Sequence, residues 1–174
     1  MANPILIELT RGTRVECRHA GSIAVGKPNG ELVLSLGDVT SPVYPRSAVK
    51  AFQAIPLLET GAADRFEFGK LEIALACASH SGTDKHVALA SSMLARAGLD
   101  ETALGCGAHV PMGDEAAIGF YRSGARASTL HNNCSGKHSG MVATCVHCGD
   151  PVAGYLSTDH PHQQRIRGVL EEFT

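Results

Sequence analysis

The tetrapeptide Lys27-Pro28-Asn29-Gly30 constrains the fold of this chain more than any other stretch. It separates Gly21-Ser-Ile-Ala-Val-Gly26 from Glu31-Leu-Val-Leu-Ser-Leu36, and a Pro-Asn-Gly turn between two apolar runs is a hairpin signal. Upstream, Pro4-Ile-Leu-Ile-Glu-Leu-Thr10 and Arg14-Val-Glu-Cys-Arg-His19 alternate as strands do, with Arg11-Gly12 as their turn. The chain is therefore expected to open with an antiparallel meander. Beyond Leu36 the pattern becomes helical, with glycine as the usual stop.

Asp38 to Pro45 reads as a loop that delivers the chain to a helix running from about Ser47 to Thr60, ended by Gly61, with Pro56 expected to kink it or end its regular part. Residues 70–78 read as a short apolar helix or a buried strand. Helices follow over Lys85 to Ala97, Asp114 to Ser123 and Lys137 to His147. A last helix starts near His162, after Asp159-His160-Pro161, and is still running at Thr174. There is no internal repeat and no low-complexity tract.

A length of 174 residues suits one domain, and 44% hydrophobic with 18% charged residues is a globular rather than a disordered composition. A net charge of −2 without a basic block excludes nucleic acid and anionic membrane as main partners. No apolar run approaches the roughly 18 residues of a membrane span. The N-terminus lacks a basic region and a long apolar core, so a cytoplasmic location is expected. There, six cysteines point to buried thiols or metal before disulfides.

Three polar clusters stand out. In Tyr44-Pro45-Arg46-Ser47-Ala48-Val49-Lys50 a hydroxyl precedes an amine by three residues, just after a proline that suits a helix start. On one helix these two share a face. Serine becomes a nucleophile when a base takes its proton, and a neutral lysine can be that base. The same spacing also occurs in helices whose lysine is only solvated. The second cluster is Ser79-His80-Ser81-Gly82. The third, His131-Asn132-Asn133-Cys134-Ser135-Gly136-Lys137-His138, lies just before or at a helix start, where carboxylates and oxyanions are favoured, or it is simply a capped turn. Cys145-Val146-His147-Cys148 has metal-ligand spacing, but its apolar setting favours core thiols. Cys134 is a metal ligand or a reactive thiol. Cys17, Cys77 and Cys106 are expected in the core, and His19 and His86 at the surface.

Arg46-Ser-Ala-Val-Lys50 with Phe-Gln-Ala-Ile-Pro-Leu, then Ala78-Ser-His-Ser-Gly82, His131-Asn-Asn-Cys-Ser-Gly-Lys-His138 and Asp159-His-Pro161, resemble the Rhizobium etli-type L-asparaginases, the asparaginase II family of serine-dependent amidohydrolases. The resemblance implies hydrolysis of L-asparagine to L-aspartate and ammonia. It implies an α+β fold like that of serine β-lactamases and glutaminases, an antiparallel sheet with helices packed on it. It also implies catalytic roles for Ser47, Lys50 and Ser79, and zinc at Cys134 and Lys137 with a further cysteine from later in the chain. Arg46, His80, Asn133 and His138 are expected to contact substrate. Family chains are considerably longer, so this sequence is expected to be an N-terminal portion with an incomplete sheet, partnered by the missing half or by a second copy in a homodimer. His162 departs from the family, which usually has an apolar residue there. A penicillin-recognising acylase using the same Ser-x-x-Lys pair, and a non-enzymatic zinc module on Cys134, Cys145, His147 and Cys148, are the competing readings.

Overall fold

Residues 3–173 are described by a computed structural model, and the chain divides between Tyr44 and Pro45 into two units. Thr174, where the last helix was expected still to run, lies outside the described residues.

The first unit is all strand. β1 (Ile5–Arg11) pairs antiparallel with β2 (Arg14–Ala20), and β3 (Ile23–Gly26) with β4 (Leu32–Leu36). The turn at Lys27–Gly30 forms as its residues dictate. Gly30 takes φ +82°, Gly30 N–H donates to Lys27 O at 2.9 Å, and Lys27 N–H donates to Glu31 O at 2.8 Å. The meander itself does not form. Among the described residues there are two separate two-stranded sheets. Register breaks at Ile5/Ile7, Leu9/Thr10 and Val25/Gly26 bend both hairpins, and Gly21 N–H at the junction bonds back to Pro4 O at 3.1 Å. All strand residues are exposed, including Cys17, which the sequence suggested was core.

The second unit is helical: α1 (Lys50–Glu59), α2 (Ala62–Arg65), α3 (Lys70–Ala76), α4 (Asp84–Arg96), α5 (Asp114–Ser123), α6 (Ser135–Cys148) and α7 (Pro161–Phe173). The stretch at 70–78 thus resolves as helix, and α6 starts two residues earlier than expected. Gly98, Gly124 and Gly149 follow α4, α5 and α6 with φ between +67° and +73°, the left-handed stop that glycine supplies without cost. Pro56 is accommodated inside α1 rather than ending it.

α6 is the axis of this unit. Of its 14 residues, Ser135, Gly136 and the run from His138 to Cys145 are buried. One core cluster gathers Leu57, Phe66, Phe68, Leu75, Ala90 and Met93 around Ala143. A second gathers Leu94, Leu104, Tyr155 and Ile166 around Met141, Val142 and Cys145. Small residues let the neighbouring helices approach closely. A Cβ on Gly140 would lie 3.2 Å from Leu57 Cδ2 and 3.3 Å from Ala76 Cβ. At Gly136 it would lie 2.7 Å from the Leu75 carbonyl oxygen, which is backbone and cannot swing aside. Gly136→Ala should destabilise the protein by about 1–3 kcal/mol and lower Tm by several degrees in a thermal melt.

His162 is the exception in this core. It is 1% exposed, and neither ring nitrogen has a hydrogen-bond partner. Burial, helped by Arg165 and His160, holds its pKa at about 4 instead of 6.5. Because the unfolded chain protonates first, this histidine costs nothing in protonation above pH 6.5. It removes stability as the pH falls from 6.5 towards 4, at about 1.4 kcal/mol per pH unit. His162→Leu should raise the denaturation midpoint at pH 7 and flatten its decline down to pH 4.5, read by urea titration at each pH.

Candidate active site

Pro45, at φ −70°, leads into a single 3-10 turn over Arg46–Val49, and α1 begins only at Lys50. Ser47 and Lys50 are therefore not on one α-helix as the spacing suggested. Arg46, exposed at φ +49°, turns the chain into that 3-10 segment, an unusual conformation for a residue with a side chain. Ser47 ends up exposed and Lys50 buried at 3% exposure.

The Lys50 amine reaches across to two other segments. It donates to Ala78 O at 2.9 Å and to Cys134 Sγ at 3.2 Å, and it bonds to Ser79 Oγ. Ser79 Oγ in turn lies 3.0 Å from Ser47 Oγ. The hydroxyl next to the amine is thus that of Ser79, and Ser47 connects to Lys50 through it. Ser79 is exposed like Ser47, so both hydroxyls are open to a substrate.

Ser79 is presented by the end of α3. The segment turns back at Gly82, whose φ of +73° and whose packing against His131 O and Pro111 admit no side chain; a Cβ would meet that oxygen at 2.7 Å. Cys134 is set by Asn132. The Asn132 Oδ1 accepts from Cys134 N at 2.8 Å, while its Nδ2 donates to Cys106 O at 2.7 Å and Gly107 O at 3.0 Å. Asn133 N–H donates to His109 Nε2 at 3.1 Å, and Asn133 Oδ1 lies 3.4 Å from Cys134 Sγ. Asn132 and His109 went unassigned in the sequence reading. His109 sits in an irregular stretch with no periodicity or motif spacing to single it out.

Two histidines expected at the substrate lie inside the protein. His80 is 6% exposed; its Nε2 lies 3.0 Å from Ser135 Oγ and its Nδ1 accepts from Gly82 N–H. His138 is equally buried; its Nδ1 lies 2.6 Å from the Tyr155 hydroxyl oxygen, which accepts from Gly105 N–H at 2.8 Å. Burial drives both histidines to a pKa of about 4, with Lys50 adding to the shift in each. His86, expected at the surface, is half-buried and stacks on His80 at 4.8 Å between centroids.

Lys137 is half-buried and its pKa lies below the ordinary lysine range. Burial is the main cause, the Cys134 thiol pulls it back, and Lys50 presses it further down. That direction suits an amine that must be neutral to bind metal. The donor set is short, however. Cys134 and Lys137 are two, and a tetrahedral zinc site takes three or four from the protein. No group of three His, Cys, Asp or Glu among the described residues could hold a metal ion. Cys145 is fully buried in the core with its thiol pushed up to about 11, so the alternative cluster on α6 does not converge either. Alkylation with iodoacetamide at pH 8, followed by peptide mapping, should modify Cys17 first and leave Cys145 and Cys106, the latter also held near 11 by burial, among the last.

No helix among the described residues is long and apolar enough to cross a membrane. A family model described as L-asparaginase II matches residues 7–174, all but the first six positions of the chain. No curated protein matches it.

Proposed function

We propose that this chain, which belongs to the L-asparaginase II family, is an amidohydrolase that converts L-asparagine and water to L-aspartate and ammonia. The observation that carries this reading is the line from Ser47 Oγ through Ser79 Oγ to Lys50 Nζ. An amine has two N–H groups and one lone pair. With Lys50 in that form, the two donors serve Ala78 O and Cys134 Sγ, and the lone pair faces the Ser79 hydroxyl.

Ser47 Oγ attacks the side-chain amide carbon. As the bond forms, the Ser47 proton moves to Ser79 and the Ser79 proton to Lys50. The developing oxyanion is met by backbone N–H groups, among them that of Ser47, which stands in the first turn of its 3-10 segment and has no intrahelical carbonyl to bond. Lys50 returns its proton through Ser79 to the leaving nitrogen, and ammonia departs. Water then attacks the ester on Ser47 by the same route in reverse, releasing L-aspartate and restoring the hydroxyl.

The test is ammonia release from L-asparagine by three proteins: wild type, Ser47→Ala and Ser79→Ala. Loss of the nucleophile should cost about 10³-fold or more in kcat, and loss of the relay about 10²–10⁴-fold, with Tm unchanged within a few degrees. Full turnover in Ser47→Ala with none in Ser79→Ala would move the nucleophile to Ser79. A wild type that leaves L-asparagine intact but is stably acylated by penicillin would replace this reading with that of a penicillin-recognising acylase.

A further inference from the structure

The segment that carries Ser79 is tied to the start of α6 by the residue that follows the serine. His80 N–H donates to Asn133 O at 3.0 Å, and the His80 ring lies between Gly82 N–H and Ser135 Oγ. An amide N–H can only donate, so Nδ1 must be the acceptor, and the proton of the neutral ring is on Nε2. That proton points at Ser135 Oγ, 3.0 Å away, on the first residue of α6. Ser135 is fully buried, so water cannot stand in for the imidazole.

We infer that His80 is a positioning residue: its Nε2–H to Ser135 bond holds the Ser79 segment at a fixed distance from Cys134, and so sets where the Lys50 amine meets Ser79. Both ends of that bond lie one residue from a Lys50 ligand, Ser79 on one side and Cys134 on the other. Lys50 therefore spans a gap whose width His80 fixes. The ring is packed by His86 of α4 on its face, with Lys50 of α1 and His109 of the loop between α4 and α5 as the other ionisable groups that act on it. No carboxylate hydrogen-bonds to it among the described residues, so the contact is that of a neutral donor. His80 reaches the reacting atoms only through its neighbours and binds no substrate.

This inference rests on the amidohydrolase reading for its kinetic arm only. His80→Gln keeps an N–H at the position of Nε2, and His80→Phe fills the space with none. Three quantities are compared with wild type: kcat and KM for ammonia release from L-asparagine, the rate of iodoacetamide attack on Cys134 by peptide mapping, and the imidazole tautomer by long-range ¹H–¹⁵N correlation. We expect the Nε2–H tautomer in wild type. In His80→Phe, kcat should fall about tenfold to a hundredfold with KM held within about twofold, as expected when reacting groups are displaced by a fraction of an ångström to an ångström. Cys134 should alkylate several times faster in that variant. His80→Gln should recover most of both effects. A rise in KM alone, a Gln variant as impaired as Phe, an unchanged Cys134 rate, or the Nδ1–H tautomer overturns the inference. If wild type releases no ammonia, the substrate reading fails, and the tautomer and the alkylation rates still decide the role of His80.

Discussion

A lysine amine buried to 3% exposure has to be met by acceptors, and the site is organised by that need. Lys50 stands at the first residue of α1. Its partners come from the end of α3 and from the loop before α6. Neither segment is helix or strand where it meets the amine, and each is held by contacts of its own. Gly82 fixes the return of the Ser79 segment, Asn132 fixes Cys134, and the 3-10 turn fixes Ser47. The two serines are exposed while the amine is not. In the proposed mechanism, such a division would let a substrate reach the hydroxyls while the proton acceptor stays shielded.

The histidines around the site differ from the usual expectation for a polar cluster. His80 and His138 face inward, and their hydrogen bonds go to Ser135 and Tyr155. Burial keeps both neutral far below physiological pH. They act as uncharged linkers that tie loops to α6. His162 has the same burial without the partners, so it is a cost where the others are supports.

Much of the helical unit was legible in the residues. Glycines marked the ends of α4 and α6, and the left-handed φ at Gly98 and Gly149 gives the reason. The hairpin turn at Lys27–Gly30 was equally clear. The meander was not, because pairing between β2 and β3 depends on bulges and on the Gly21 bond to Pro4, which no alternation pattern encodes. In the site, residue types marked Ser47, Lys50, Ser79 and Cys134, but spacing paired Ser47 with Lys50 on a helix. Only the fold, through the positive φ at Arg46, interposes Ser79. Which way His80 faces is likewise a tertiary fact. Sequence could say that a histidine stood beside the serine, and it had no means of saying that both ring nitrogens were occupied.

The glycines of α6 have a consequence for how this site can diverge. Where a large side chain packs, a change elsewhere is absorbed by a new rotamer. Gly136 and Gly140 have no side chain to readjust, and their neighbours sit at contact distance. Gly136 adjoins Ser135 and Gly140 lies about one turn further along α6, so a strain at either would be passed as a shift to the end that bears Ser135. New specificities would have to arise at the exposed rim around Arg46 and Ser47, where the chain can change without moving the lever behind it.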